Sequence, residues 1–337
     1  LEGELRARPI FQEFIMPAPS KKTLTKPPRR VFQTFMDFPL STDMDAFDAD
    51  IAIMGIPHGD PYNIDEVTND QTNAPTAIRQ ASDQLIMGSK HWDFDIDSTL
   101  LNGRDIKVVD VGDVRADARE LSHHYQRAEE AARKVFSTGA SLITFGGDHG
   151  VPIPVMRALD VLGETITLVQ IDAHIDWRND VNGVEEGYSS PIRRASEMGH
   201  IDQIYQLGIR ASGSAREEEV KAARAYGSNI ITAYDIHDNG MQSVLDRIPD
   251  GGHYYLTIDL DGMDPAIAPA VMARTPGGLW FHQARTLIHG LIGKGRLVGM
   301  DLNEIAPKYD LGDVTAITAG RMAVNFIGKT VQAGYYD

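Results

Sequence analysis

Short apolar stretches rich in β-branched residues recur along the chain, at Ile51–Gly55, Ile106–Asp110, Leu142–Phe145, Ile166–Ile171, Ile204–Leu207, Ile230–Ala233, Tyr254–Ile258 and Leu297–Met300. Their length and composition predict buried strands. Between several of them apolar positions follow a helical spacing, as in Arg119–Thr138, Ser214–Tyr226 and Phe281–Ile292. Strands alternating with helices predict a mainly parallel, eight-stranded α/β sheet covered on both faces. No internal repeat or low-complexity linker divides this pattern. The chain therefore reads as an irregular, proline-rich basic arm over residues 1–40, carrying Lys21, Lys22, Lys26, Arg29 and Arg30, and a single domain over residues 41–337.

Polar residues cluster just beyond the predicted strands, where open parallel sheets bind ligands. Gly146-Gly147-Asp148-His149-Gly150 follows one strand, Asp172, His174 and Asp176 another, Asp259 and Asp261 a third, and Asn303-Glu304 a fourth. Asp172, His174 and Asp176 stand at every second position, so as residues of an extended strand they share one face and are aimed at one point. Such groups ending a buried strand are costly unless compensated, and a divalent cation would compensate them. With His149, Asp259 and Asp261 the set holds two imidazoles and four carboxylates. That is more than one cation with an open position usually takes, so it suits two cations sharing some carboxylates. These donors favour manganese, nickel, iron or zinc, and such a pair supports hydrolysis by activating water. An isolated D-x-D is commonly a cap or a turn. Ligand groups ending three separate strands form a far more specific pattern.

Composition narrows the partners. With a net charge of −16 over 337 residues, nucleic acid and anionic membranes are poor partners, while a cationic substrate is compatible. The absence of cysteine excludes disulfides, thiolate zinc sites and a cysteine nucleophile, and fits a cytoplasmic protein. No apolar run is long enough to predict a membrane span. The chain opens at Leu1 with no initiator methionine or signal-peptide pattern, which points to a trimmed start.

G-G-D-H-G, D-A-H-I-D and T-I-D-L-D-G-M-D-P-A-I-A-P-A resemble the three signature blocks of the ureohydrolases, the arginase and agmatinase family, and the similarity runs from about Ile51 to Ile327. The resemblance implies a three-layer α/β/α fold and a dinuclear centre of two divalent ions, Ni²⁺ or Mn²⁺. It also implies hydrolysis of a guanidino group to urea plus ammonia or an amine by a metal-bridging hydroxide. Matching positions imply that His149, Asp172, Asp176 and Asp259 hold one ion, and that Asp172, His174, Asp259 and Asp261 hold the other. Asp176 would also orient the hydroxide. V-G-M-D-L-N-E-I-A-P matches the block whose glutamate, here Glu304, pairs with the substrate guanidinium. A trimer or hexamer of one or two kinds of chain is implied as well.

Three departures stand out. Tyr188, in E-G-Y-S-S-P, occupies a position where agmatinase-like proteins carry a histidine thought to shuttle a proton. A phenol titrating near 10 is a poor shuttle at neutral pH, so either another group supplies the proton or Tyr188 shapes a different pocket. His58 and Asp60, in G-I-P-H-G-D-P-Y, are the candidate replacements. The stretch Asp65–Arg79 is unusually polar, and Trp280 stands where relatives carry threonine. A ring at that mouth would shrink the space for a substrate tail. Together these changes favour guanidine, an alkylguanidine or a biguanide over arginine or agmatine. H-W-D-F-D-I-D, from His91 to Asp97, also resembles the guanidine-hydrolase branch, associated with nickel. The competing readings are an agmatinase or guanidinobutyrase with an atypical shuttle, and a catalytically silent partner subunit of an active paralogue. A deacetylase-like relative with one metal is disfavoured by the complete second ligand set. His123, His124, His200, His237, His253 and His289 lie outside any ligand spacing and read as surface or structural residues.

Overall fold

The computed structural model describes residues 25–26, 33–63, 70–116 and 123–337. Its centre is one sheet of β1 (Thr25–Lys26), β2 (Ile51–Gly55), β3 (Val108–Val114), β4 (Ser141–Phe145), β5 (Ile166–Ile171), β6 (Ile201–Ile209), β7 (Asn229–Thr232), β8 (His253–Asp259) and β9 (Arg296–Asn303), in the order β1-β3-β2-β4-β9-β8-β5-β6-β7. The short β1 runs antiparallel to β3. The other eight strands are parallel, as the run of apolar segments predicts.

Side chains alternate across the sheet and feed two cores. Ile51, Ile53, Val169, Ile171, Leu256 and Ile258 face α1 (Ala74–Ala81), α6 (Ala233–Leu245), α7 (Phe281–Lys294) and α8 (Val314–Gln332). Ala52, Met54, Leu142, Leu168 and Tyr255 face α2 (His124–Phe136), α3 (Pro152–Ala158), α4 (Pro191–Ala195) and α5 (Glu217–Tyr226). The result is the expected three-layer α/β/α architecture.

The apolar pattern did not single out α8. Its Gly320 and Gly328 lie close to Leu85 and Ile96, where larger side chains would collide, so small residues interrupt the helical signal. The Asp310 carboxylate accepts the backbone N–H groups of Thr315 and Ala316 at 3.0 and 2.9 Å, satisfying orphan donors of its first turn.

Much of the basic arm lies outside the described residues, as do residues 64–69 and 117–122, which include parts of the Asp65–Arg79 and Arg119–Thr138 stretches. The described end of the arm belongs to the fold rather than to an irregular tail. Phe35 is fully buried, and its N–H donates to Asp110 at 2.9 Å. Asp110 also receives Nε and Nη2 of the fully buried Arg79, at 2.8 and 2.9 Å, while Nη1 reaches Asp113 at 2.6 Å. One buried guanidinium from α1 thus bridges two carboxylates on β3, bidentate to Asp110 and single-point to Asp113.

Candidate metal centre

Every predicted metal ligand sits at the carboxyl edge of the sheet. His149 follows β4, Asp172 follows β5, Asp259 ends β8 and Glu304 follows β9. Two donor groups form there, His149 with Asp172, Asp176 and Asp259, and Asp172 with His174 and Asp261, the donor atoms of each lying within 4.8 Å of one another. Asp172 is common to both. His149 Nδ1 lies 2.7 Å from Asp176, 3.1 Å from Asp172 and 3.5 Å from Asp259. His174 Nδ1 lies 3.1 Å from Asp261 and 3.5 Å from Asp172.

The convergence is as expected, but its geometry is not that of a strand. β5 ends at Ile171, and Asp172 accepts the N–H of His174 at 2.6 Å, turning the chain. Asp176 is left-handed at φ 45°. This turn separates the donors, so His174 and Asp176 serve different groups instead of one point. Two glycines permit the crowding. A Cβ on Gly147 would stand 1.6 Å from the His58 carbonyl oxygen, and one on Gly213 2.3 Å from the His174 ring.

The sequence matches the arginase family over residues 49–328. The chain belongs to the arginase family. It is 32% identical over 306 residues to an agmatinase of Citrobacter koseri, covering 87% of this chain and 91% of the relative. A solved structure titled a hypothetical agmatinase, from Burkholderia thailandensis, superposes with a TM-score of 0.75 at 29% identity, over 89% of this chain and 91% of the other. Proclavaminate amidino hydrolase from Streptomyces clavuligerus gives 0.73 at 25% identity, over 89% and 97%. As an arginase-family protein the chain is a metal-binding hydrolase of carbon–nitrogen bonds in linear amidines.

The donor set fits divalent cations electrostatically. Burial, and then the charge of Asp172, push the Asp176 carboxyl up to about 8. Burial also raises Asp259 well above the usual carboxylate range, with Asp261 and Asp172 adding to it. The imidazoles move the other way from what burial favours. Contacts with Asp172 and Asp176 hold His149 well above its ordinary value, and Asp172 and Asp261 push His174 up to about 12. Asp172, between both rings, is held far below its ordinary value by them despite burial. Protons are thus drawn to the places a cation would neutralise.

A cavity of about 460 Å³ opens onto the cluster and is lined by Gln71, His174, Asp176, Tyr188, Asp259, Asp261, Met272, Glu304, Lys308 and Tyr309, among others. Tyr188 stacks against Tyr62, with ring centroids 4.1 Å apart. Glu304 is left-handed at φ 68° and accepts the His149 N–H at 2.8 Å and the Gln71 amide at 2.7 Å. Its carboxyl is pushed up to about 7, by burial first and then by Asp148.

The structure does not bring the remaining candidates to this cavity. His58 faces α2, its Nδ1 3.0 Å from His124 Nδ1 and its ring 4.4 Å from that of Tyr125. The Gly147 backbone packed on the His58 carbonyl keeps this loop beneath the site. Asp60 contributes its N–H to Asp148 at 2.8 Å and does not line the cavity. Trp280 precedes α7, 42% exposed, with its N–H on Gln283, so it does not narrow this mouth. Structural placement suits His124, which is fully buried.

Sequence reading passed over two contributors. Gln71 lies in the polar stretch already noticed as unusual. Arg210, 5% exposed, donates to the carbonyls of Gly208, Asp261, Gly262, Met263 and Thr275, bracing the loop that carries Asp261. A lone arginine after a strand gave no signal for this.

Proposed function

We propose that this chain hydrolyses a small guanidino compound, guanidine, an alkylguanidine or a biguanide, to urea plus ammonia or an amine, at a centre of two divalent ions, nickel or manganese. The carrying observation is that Glu304 and members of both donor groups, Asp176 and Asp259 of one and His174 and Asp261 of the other, line one cavity. His149, Asp172, Asp176 and Asp259 would hold one ion, and His174 and Asp261, with Asp172 and Asp259 shared, the other. Bound there, the ions supply the Lewis acidity that activates water at neutral pH.

The chain's own residues do the rest. Glu304 retains free lone pairs after its two acceptor bonds and can hold a planar guanidinium through charge-assisted contacts. Asp176 would accept a hydrogen bond from the attacking hydroxide and orient it. Addition of water to the guanidino carbon and cleavage of one C–N bond leave urea and an amine that must be protonated. Tyr188 lines the cavity but is a poor acid at neutral pH, so it serves shape and orientation.

Two lining residues support a compact substrate: Tyr188, backed by Tyr62, and Lys308. The ammonium tail of agmatine would meet the like charge of Lys308. The same lysine favours a second reading, a guanidino acid such as guanidinobutyrate, whose carboxylate would pair with it. Urea release across guanidine, alkylguanidines, biguanides, guanidinobutyrate and agmatine, with nickel or manganese loaded, tests the proposal. Preferred turnover of guanidinobutyrate supports the second reading. Full metal occupancy without urea from any of them refutes both, and empty sites after nickel or manganese loading favour a silent partner subunit.

A further inference from the structure

One pleat below the ligands, a row of polar side chains crosses the interior of the sheet. The strand register places Thr144 of β4 beside Asp301 of β9, Asp301 beside Thr257 of β8, Thr257 beside Gln170 of β5, and Gln170 beside Gln206 of β6. All five are fully buried. Each of Thr257 and Gln170 precedes a ligand by two positions, Asp259 and Asp172, and so shares its face of the sheet. Elsewhere this face is apolar, formed by Leu142, Leu168, Ile204 and Tyr255. Polar groups in such a core are costly unless they are hydrogen-bonded.

The bonds of the row end on metal ligands. Thr257 Oγ1 donates to Asp301 Oδ1 at 2.7 Å, and its lone pair faces His149 Nε2 at 3.0 Å. His149 must therefore carry its retained proton on Nε2, which presents Nδ1 to the carboxylates of Asp172, Asp176 and Asp259. On the other side Gln170 Nε2 donates to Asp172 Oδ2 at 2.6 Å, while its Oε1 accepts from Gln206 Nε2 at 2.7 Å. Gln206 is fixed in turn by the Ile175 carbonyl at 2.7 Å and the Ser228 hydroxyl at 2.8 Å.

We propose that the row Asp301–Thr257 and Gln206–Gln170 positions the metal ligands, selecting Nδ1 of His149 as its donor atom and fixing the carboxylate plane of Asp172, the ligand common to both groups. Its members act through the ligands and touch no substrate. Partners of this kind around metal ligands commonly change affinity 10–100-fold. The inference rests on the metal assignment and is independent of the substrate, so a protein that binds metal yet releases no urea leaves it standing.

The test is titration of metal-free protein with cobalt(II) chloride, followed by visible d–d absorption, beside thermal unfolding of the metal-free protein. Thr257→Val, which keeps shape and removes the relay, is expected to weaken cobalt binding about 10–100-fold and to shift the band. Thr257→Ser should restore both. Gln206→Met, which contacts no ligand, should weaken binding about tenfold. Wild-type affinity and band position in Thr257→Val and Gln206→Met would overturn the proposal, even if their melting temperatures fall, because a merely structural row would give that result. If Thr257→Val does not fold, Gln206→Met decides alone.

Discussion

Loading the centre with metal should release protons in a number set by its buried charge. Four carboxylates, Asp172, Asp176, Asp259 and Asp261, surround two imidazoles, His149 and His174. Near pH 7.5 both rings are held protonated by the carboxylates, Asp176 is pushed up to about 8, and burial raises Asp259 and Asp261 as well. Charge balance in the buried cluster leaves about two of the four carboxylates ionised beside two imidazolium rings. Two divalent cations against four carboxylates and two neutral imidazoles also sum to zero. Exchange at constant buried charge therefore releases about four protons for two cations, because each ligand must be deprotonated to bind. Calorimetric titration in buffers of different ionisation enthalpy reads this number as the slope of observed heat against buffer heat. The sign fixes the pH dependence too: affinity rises with pH, by about two decades per pH unit per cation while these groups remain protonated. Release of less than about one proton per molecule, or an affinity flat between pH 6.5 and 8, would refute the electrostatic account.

Further outcomes follow from the same geometry. Glu304→Gln places an amide N–H against one of two donors, the His149 N–H or the Gln71 amide, and weakens the guanidinium contact; losing a charged hydrogen bond costs about 1.5–3 kcal/mol, so urea-release assays should give a kcat/KM about 10–150-fold lower. Trp280→Ala should leave kcat/KM within about twofold, since surface changes away from a site act weakly; a larger change would return Trp280 to the pocket. Arg79→Met leaves Asp110 and Asp113 buried without a counter-charge and should cost about 3–5 kcal/mol in denaturant unfolding. Burial lowers His58 to about 4 from 6.5, with Asp60 opposing weakly. Its contribution is complete above pH 6.5 and is lost as pH falls toward 4, amounting to about 3 kcal/mol. In a comparison of unfolding free energies at pH 7 and pH 4.5, His58→Asn should lose less stability on acidification than the wild type.

The sequence by itself determined the layer order, the edge of the sheet where chemistry gathers, and which histidines and aspartates converge there. These depend on local quantities: the periodicity that makes buried parallel strands and the residue types that end them. Tertiary structure decided the rest, because it depends on which side chains meet across strands distant in sequence. The turn at Asp172 and the left-handed Asp176, not a continuing strand, sort His174 and Asp176 into separate donor groups. Loop packing turns His58 toward His124 and leaves Trp280 half-exposed, so neither the candidate shuttle nor the candidate pocket wall lines the cavity. Gln71 meets Glu304 across 233 positions of chain, and Thr257 meets Asp301 across 44. The polar row beneath the ligands leaves only a faint trace in sequence, a Thr, a Gln or an Asp one to three places before the end of a buried strand. Its meaning comes from strand register, which sets those residues side by side and pairs Thr257 with Asp301 and Gln170 with Gln206.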